Sequence, residues 1–494
     1  MKVLLVNPEY PTTYWSFRYA LSFEGKRSAF PPLALTTISS MLPASWERRL
    51  VDLNVRKLKR ADIEWADIVF ATAMLVQKDS LLEVVKRIKA QGKRIVVGGP
   101  YISSAIDRIP GVDHIFLGEA ETTLPLFIED LERGQAKEVY EAAERPSLAG
   151  TPIPDFGLVD LKRYSMMGVQ YSRGCPFQCE FCDIIEIYGR VPRTKSPEQM
   201  LTELDSLLSV GWRGTVFIVD DNFIGNKRNV KQLLPRLAEW QERNGRPFTF
   251  ITEASVNLAD DDELLDGMRR AGFRRVFLGI ETPEEEGLRS ALKIQNIGGN
   301  LIESVKKIQS YGMEVMAGFI VGFDTDKDDI FQRQINFIRE SAIPLAMVGL
   351  LGALPSTQLW RRLQSEGRLL GESLGNNTNG ELNFIPKMDK DRLREGYRSI
   401  MQTIYRSSEY YDRTLECLKR ISKTGPEKNN HSLVGSIVAF GRIILRLGII
   451  DRERKEFWTF LTRVVRDHRE MFADAMRLAV MGYHFRRIVD ALNV

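Results

Sequence analysis

The sequence predicts an α/β protein with two parallel sheets and a helical end. Three patterns carry that reading. Residues 1–145 alternate short apolar runs with helical segments, residues 166–354 repeat the rhythm through six βα units, and residues 387–494 show helical periodicity without a strand signal. Runs that are apolar on both faces and joined by helices belong in a parallel sheet covered on both sides. Six βα units make a partial (β/α)6 barrel of the TIM type, short of the eight that close one.

The first series has strand candidates at 2–8, 48–54, 66–74, 94–100 and 113–121. Segment 80–93 places Leu82, Val85 and Ile88 at helical spacing, with Gly92 near its end. In such a sheet the ligand crevice lies at the carboxyl ends of the strands. Those ends read Asn7-Pro8, Ala73-Met74, Gly98-Gly99-Pro100 and Gly118-Glu119. Glycines there let backbone approach a bulky ligand; Gly-Gly-Pro reads equally as a strand-ending turn. Residues 146–165 hold three prolines and two glycines and read as a linker.

The second series, within a barrel domain spanning 166–386, has strand candidates at 166–174, 215–222, 248–255, 274–281, 314–323 and 345–354. Ser196-Pro197-Glu198 opens one connecting helix with a cap, a first-turn proline and a first-turn acid. The polar groups at the strand ends, where barrel sites lie, are Asp220, Asp221, Asn222, Glu253, Ser255, Glu281 and Asp324. Acids at four of the six ends predict a polar pocket.

In the helical domain 387–494, residues 432–450 are apolar except for Arg442 and Arg446, which share a helix face. A central arginine costs about 2.5–3.5 kcal/mol on insertion, so a spanning helix is disfavoured. The alternatives are an interfacial amphipathic helix and a core helix with two solvated arginines. The domain carries 22 basic and 14 acidic side chains, whereas the whole chain is only +4. That small net charge gives no argument for nucleic acid. Hydrophobic residues at 44% and charged residues at 27% exclude a mainly disordered chain. The opening MKVLLVNPEYP has no signal-peptide pattern, so a cytoplasmic protein is expected, with peripheral membrane contact through its C-terminal domain.

Four cysteines exclude a disulfide-dense scaffold. Three of them, Cys175, Cys179 and Cys182, stand as C-x3-C-x2-C in SRGCPFQCEFC, and the fourth, Cys417, is in the helical tail. Structural zinc normally takes four Cys or His ligands in paired spacing, and none of the four histidines (His114, His431, His468, His484) is nearby in sequence. Iron–sulfur cubes prefer thiolates. Three cysteines leave one iron without a protein ligand, free to hold a substrate or cofactor. Zinc or redox chemistry completed by Cys417 is the alternative.

On this loop the chain resembles the radical S-adenosylmethionine (SAM) superfamily, where C-x3-C-x2-C follows the first barrel strand. The resemblance implies a 4Fe-4S cluster on Cys175, Cys179 and Cys182 that chelates SAM and cleaves it to methionine and a 5′-deoxyadenosyl radical. Phe181 matches the aromatic residue usual in the loop. GFIVGF, with Gly318 and Gly322, looks like the fifth-strand motif that passes the SAM adenine, although Asp324-Thr325 departs from its end. Asp220-Asp221-Asn222 stands where the family has Gly-Gly-Glu. Glu253 and Ser255 match positions that hold the SAM ribose or carboxylate, and Glu281 completes the candidate SAM contacts.

A flavodoxin-like domain before such a barrel is similar to the cobalamin-dependent branch, and FPPLALTTISSMLP, with Pro32, resembles that branch's Pro-Pro-Leu stretch. The Asp-x-His-x-x-Gly motif that donates histidine to cobalt is absent. The resemblance therefore implies a cobalamin whose lower face is covered by the loop Leu75, Val76 and Gln77, with Gly98, Gly99 and Glu119 at neighbouring strand ends; a domain that has lost its cofactor is the alternative. NPEYPTTYWSFRYAL, CDIIEIYGRVPRTK, VDDNFIGNKR, ALPSTQLW and GYHFRRI look like the subgroup of hopanoid C-2 methylase and the bacteriochlorophyll side-chain methyltransferases. That subgroup implies C-methylation of a hydrophobic polycyclic small molecule, with an external donor such as flavodoxin or ferredoxin supplying electrons. Cyclisation or rearrangement without methylation, and metal binding without turnover, are the other readings. Methylthiotransferases carry a second three-cysteine cluster, which the single remaining cysteine excludes.

Overall fold

The computed structural model describes residues 1–104, 109–376, 378, 380–421 and 433–492. Its first parallel sheet is built from β1 (Lys2–Asn7), β2 (Glu47–Asp52), β3 (Ile68–Thr72), β4 (Arg94–Gly98), β5 (His114–Leu117) and β6 (Val139–Glu141), in the order β2-β1-β3-β4-β5-β6. Strand β1 shows why the apolar run had no polar alternation. Leu4 and Val6 enter one apolar layer while Val3 and Leu5 enter the layer on the opposite face. Successive side chains point to opposite faces, so both faces must be covered.

The second sheet holds β7 (Met167–Val169), β10 (Gly214–Ile218), β11 (Phe248–Ala254), β12 (Phe273–Glu281), β13 (Glu314–Val321) and β14 (Ala346–Leu350), all parallel, in chain order. A two-stranded antiparallel ribbon, β8 (Ser172–Arg173) with β9 (Arg193–Thr194), brackets the cysteine segment. The strand expected at 166–174 is thus split: β7 ends at Val169, and Ser172–Arg173 turns away to pair with β9. The helix Pro197–Ser209 begins as its sequence requires, with the Ser196 hydroxyl accepting the Gln199 N–H in a capping box.

An open barrel exposes edge backbone at β14. Tyrosines cover it: Tyr14 Oη donates to Val348 O at 2.8 Å, and Tyr405 Oη donates to Ala346 O at 2.7 Å. One comes from the start of the chain and the other from the helix Lys390–Ile404 and its C-cap. The linker 146–165 is packed rather than free, with Phe156 and Tyr164 buried and Tyr164 Oη donating to Asp52 at 3.0 Å.

The tail is helical over Lys390–Ile404, Ser407–Ile421, Leu433–Ile443, Arg454–Asp467 and Phe472–Asp490, with a π-helical extension Ile444–Ile450. The expected apolar helix 432–450 forms over its described part, and both of its arginines are exposed, as in the core-helix alternative. Arg442 donates to Phe23 O at 3.2 Å and Arg446 to Tyr483 Oη at 2.9 Å, so both are tied to the protein. Leu445 and Ile449 also face outward, more than half exposed. Among the described residues no helix is long and apolar enough to cross a membrane.

Candidate functional site

The cysteine loop hangs between β8 and β9. Gly174 starts it at φ +96°, and a Cβ there would stand 2.8 Å from Gly189 O, so only glycine fits. Cys175 N–H donates to that same carbonyl at 3.2 Å, and Cys182 N–H donates to Cys179 O at 3.1 Å. Donors are aimed at the sulfurs. Gln295 Nε2 is 3.5 Å from Cys179 Sγ and Asn222 Nδ2 is 3.8 Å from Cys175 Sγ. The buried Lys293 lies over the Phe181 ring, 6.0 Å from its centroid.

Among the described residues no group of three His, Cys, Asp or Glu side chains converges on a single-ion site. In a cube each thiolate binds a different iron at its own corner. Burial pushes the Cys175 and Cys182 thiols up, and metal binding requires their deprotonated form. The donors and the Lys293 cation fit the anionic cluster that results. Cys417 is buried in Ser407–Ile421, beside Glu314 and Arg477 in its electrostatic surroundings, which fits a core position.

The acids at the strand ends divide into two kinds. Asp220 pins the loop: it accepts Tyr171 N–H at 2.8 Å and Ser172 Oγ at 2.6 Å. Burial still pushes it up to about 6. Ser255 and Asn222 hold one another, with Ser255 N–H donating to Asn222 Oδ1 at 3.2 Å. Asp221 and Glu253 are less compensated. Burial pushes Asp221 up to about 7 despite the Gly174 N–H at 3.4 Å. Burial and then the charges of Asp221 and Asp220 push Glu253 up to about 8. Such a cluster favours a bound cation, and the ammonium or sulfonium of SAM fits that demand.

Glu281 ends β12 in the left-handed region at φ +64°, a strained setting for a side chain of its size. Its carboxylate accepts from Lys293 Nζ at 2.6 Å. Burial would discharge Lys293, but Glu281 overrides it and holds the ammonium above its ordinary range. Gly279 makes room for the pair, because a Cβ there would meet Glu281 Oε1 at 2.4 Å and Lys293 Nζ at 2.6 Å. On β13, Gly318 admits the Phe277 ring, which would lie 3.1 Å from a Cβ, and Gly322 takes φ +104° against Leu393. Asp324 is held down at about 2: burial opposes this, but the Arg368 and Arg362 guanidiniums prevail, at 2.6 and 2.8 Å.

Several residues expected at a cofactor are occupied by the protein itself. Gly99, at φ +101°, leaves a Cβ position only 2.2 Å from Thr72 Oγ1, and Gly98 packs on Phe116. The Gly-Gly pair therefore meets the needs of its own turn. Gln77 donates to Pro8 O at 2.7 Å and accepts Met74 N–H at 2.9 Å, bracing the loop. Glu119 is bonded to Arg173 at 2.5 Å and Arg193 at 2.6 Å. Pro32 precedes the helix Leu33–Met41, and Leu33 packs toward Gly168 of β7. What the strand ends offer outward is apolar: Met74 is half exposed, with Leu75 and Val76 partly so. His114 lies within β5, buried, its Nδ1 2.6 Å from Lys137 O. A flat macrocycle fits such an edge, with no imidazole from His114.

Lys293, Gln295, Arg173 and Arg193 were not identified from sequence as functional residues. Neither was the aromatic lining in which Trp15 stands parallel to Phe217 at 6.0 Å and 5.2 Å from Phe277. Arg173, Arg193 and Trp15 lie inside the sequence motifs, but nothing in those motifs marks their role, and only the fold brings them together with Lys293, Gln295, Phe217 and Phe277.

A three-cysteine loop at the mouth of an open parallel barrel, faced by a second parallel sheet, defines a radical SAM enzyme with an added cofactor domain. Family models match the B12 binding domain over residues 27–128, the Radical SAM superfamily over 169–338 and a domain of unknown function, DUF4070, over 357–493. The chain is 44% identical over 491 residues to an uncharacterized methyltransferase of Synechocystis, covering 98% of this chain and 91% of that one. It is 34% identical over 495 residues to the hopanoid C-2 methylase of Rhodopseudomonas palustris, covering 98% and 92%. Among solved structures, the cobalamin-dependent SAM radical enzyme OxsB, with aqua-cobalamin and SAM bound, matches at TM-score 0.64 and 17% identity over 99% of this chain and 80% of that one. The chain belongs to the cobalamin-binding radical SAM family, whose cofactors are a 4Fe-4S cluster, SAM and cobalamin.

Proposed function

We propose that this enzyme methylates an unactivated carbon of a hydrophobic polycyclic substrate of hopanoid or chlorin type. The observation that carries the reading is near full-length likeness to the hopanoid C-2 methylase, joined to the intact three-cysteine loop. When bound, the cluster supplies the electron that cleaves SAM, and cobalamin supplies the methyl group. An alkyl carbon is not nucleophilic, which is why polar methyl transfer alone does not suffice.

In this reading residues 1–145 carry cobalamin along Met74, Leu75 and Val76, and residues 166–386 carry the cluster on Cys175, Cys179 and Cys182. Asp221 and Glu253 face the cationic end of SAM, and Gly318 and Gly322 flank its adenine. Trp15, Phe217 and Phe277 give the barrel an apolar lining that excludes water from a radical. Flavodoxin or ferredoxin delivers the electron. A substrate this apolar resides in a bilayer, so the enzyme meets it at a membrane surface.

The test is anaerobic reconstitution with iron, sulfide, cobalamin and SAM, followed by incubation with a low-potential reductant (dithionite or reduced flavodoxin) and hopanoid or chlorin acceptors. A product heavier by one methyl group, formed with 5′-deoxyadenosine, supports the proposal. A product lacking added methyl would reassign the enzyme to cyclisation or rearrangement.

A further inference from the structure

We propose that the outward face of Leu433–Ile443 and its extension Ile444–Ile450 docks on an anionic lipid bilayer, lying in its surface. The proposal deepens the function above and rests in part on its hydrophobic substrate class. An ordinary surface helix turns charges to water and apolar residues to the core. Here apolar residues face outward as well as inward. Ile437, Leu445, Ile449 and Ile450 are 61%, 53%, 59% and 55% exposed, while Ile443 and Leu447 on the other side are buried. Arg442 and Arg446 are exposed as well, each also bonded to the protein, through Phe23 O and Tyr483 Oη respectively, so two cations accompany the apolar residues that face outward. Phe440 meets Phe472 at 5.6 Å with tilted rings, a further contact between this helix and the last one.

Charge selects the occupant. The stripe runs straight into exposed Arg452, Arg454 and Lys455, in a region with 22 basic and 14 acidic side chains. An apolar face beside a basic rim matches the acyl boundary and phosphates of an anionic leaflet. A second copy of the chain would set one basic region against another, which disfavours self-association through this face. Position gives the contact a purpose. The helix is bonded to Arg18–Glu24, which directly follows Trp15 of the barrel lining. Docking would therefore set the lined barrel beside the bilayer that holds an apolar substrate.

The experiment is sedimentation of the full-length, cluster-loaded enzyme with phosphatidylglycerol–phosphatidylcholine vesicles and with pure phosphatidylcholine vesicles. These vesicles contain no polycyclic lipid, so the result does not depend on the substrate assignment. Wild type should pellet with the anionic vesicles several-fold more than with the neutral ones. Leu445→Glu/Ile449→Glu should lower that binding about tenfold or more, and Arg452→Glu/Arg454→Glu/Lys455→Glu should remove the preference for anionic lipid. Leu126→Glu, at an exposed site on the first domain, should bind as wild type. Circular dichroism and iron content matching wild type exclude misfolding as the cause. Wild type that stays in the supernatant, or a Leu445→Glu/Ile449→Glu variant that pellets unchanged, would overturn the proposal. So would a concentration-dependent dimer abolished by the same pair of substitutions, which would give the face to a second copy.

Discussion

At the scale of single residues, the site is organised by charge placed where water is excluded. Cys179 is buried and receives the Gln295 amide at 3.5 Å. With three protein ligands for four irons, loss of one leaves the cluster short of an anchor. Cys179→Ala is therefore expected to abolish 5′-deoxyadenosine formation while preserving the circular dichroism spectrum; cleavage at the wild-type rate would refute the cluster assignment. Lys293 and Glu281 form a second buried unit, with Gly279 shaped around it. Removing one partner of such a pair leaves an uncompensated charge, at a cost of about 3–5 kcal/mol. Lys293→Ala should lower the thermal midpoint of the apoprotein accordingly. It should also lower the iron retained after reconstitution, because the cation beside the cluster is lost. An unchanged midpoint would refute the stabilising role of the pair.

At the scale of elements, the cysteine loop is held against the first domain by a buried network rather than by its own strands. Glu119, just before the helix Ala120–Glu132, bonds to Arg173 of β8 and Arg193 of β9, while Glu121 bonds to Arg173 at 2.8 Å. This strut joins the top of one sheet to the residue two before Cys175, and so sets the spacing between the two cofactor sites. Glu119→Gln keeps the shape and leaves Glu121 on Arg173. The expected result is SAM cleavage close to wild type with less methylated product, seen as a several-fold rise in the ratio of 5′-deoxyadenosine to product. A parallel fall of both would instead mark a general loss of fold. The sequence made most strands legible because two-sided burial removes polar alternation, as Val3 to Val6 show. It left β6 invisible, since three residues at a sheet edge carry no period. It exposed the cysteines because one cluster needs its ligands close together in the chain. It concealed the strut because Glu119 and Arg173 are 54 positions apart and belong to different domains in the reading of the sequence. The same separation explains why the strand-end position of Glu119 suggests a cofactor contact, whereas its carboxylate is committed to two arginines.

At the scale of the whole molecule, the two ends of the chain lock the open side of the barrel. Tyr14 bonds to the free edge at Val348 and stacks on Phe485 at 5.4 Å. His484, in the last helix, accepts Tyr19 N–H at Nδ1 (3.4 Å) and donates from Nε2 to Tyr14 O (3.2 Å). Only the neutral ring protonated on Nε2 makes both bonds. Two motifs noticed separately in the sequence, one near residue 15 and one near residue 484, thus form one joint. Its rings are Phe17, Tyr19 and Phe485, with Arg487 lying over Tyr19. Burial pushes His484 down to about 4, against an ordinary value of 6.5. As pH falls from 6.5 toward 4, the unfolded chain takes up a proton that the folded chain refuses. Stability present above pH 6.5 is therefore lost progressively across that window, by about 3 kcal/mol at most. His484→Gln retains a donor for Tyr14 O but cannot titrate. Its thermal midpoint should lie below that of wild type at pH 7.5 and fall less steeply between pH 6.5 and 4, so that the two curves converge. Parallel curves would assign the acid sensitivity to other groups and reduce the joint to its packing.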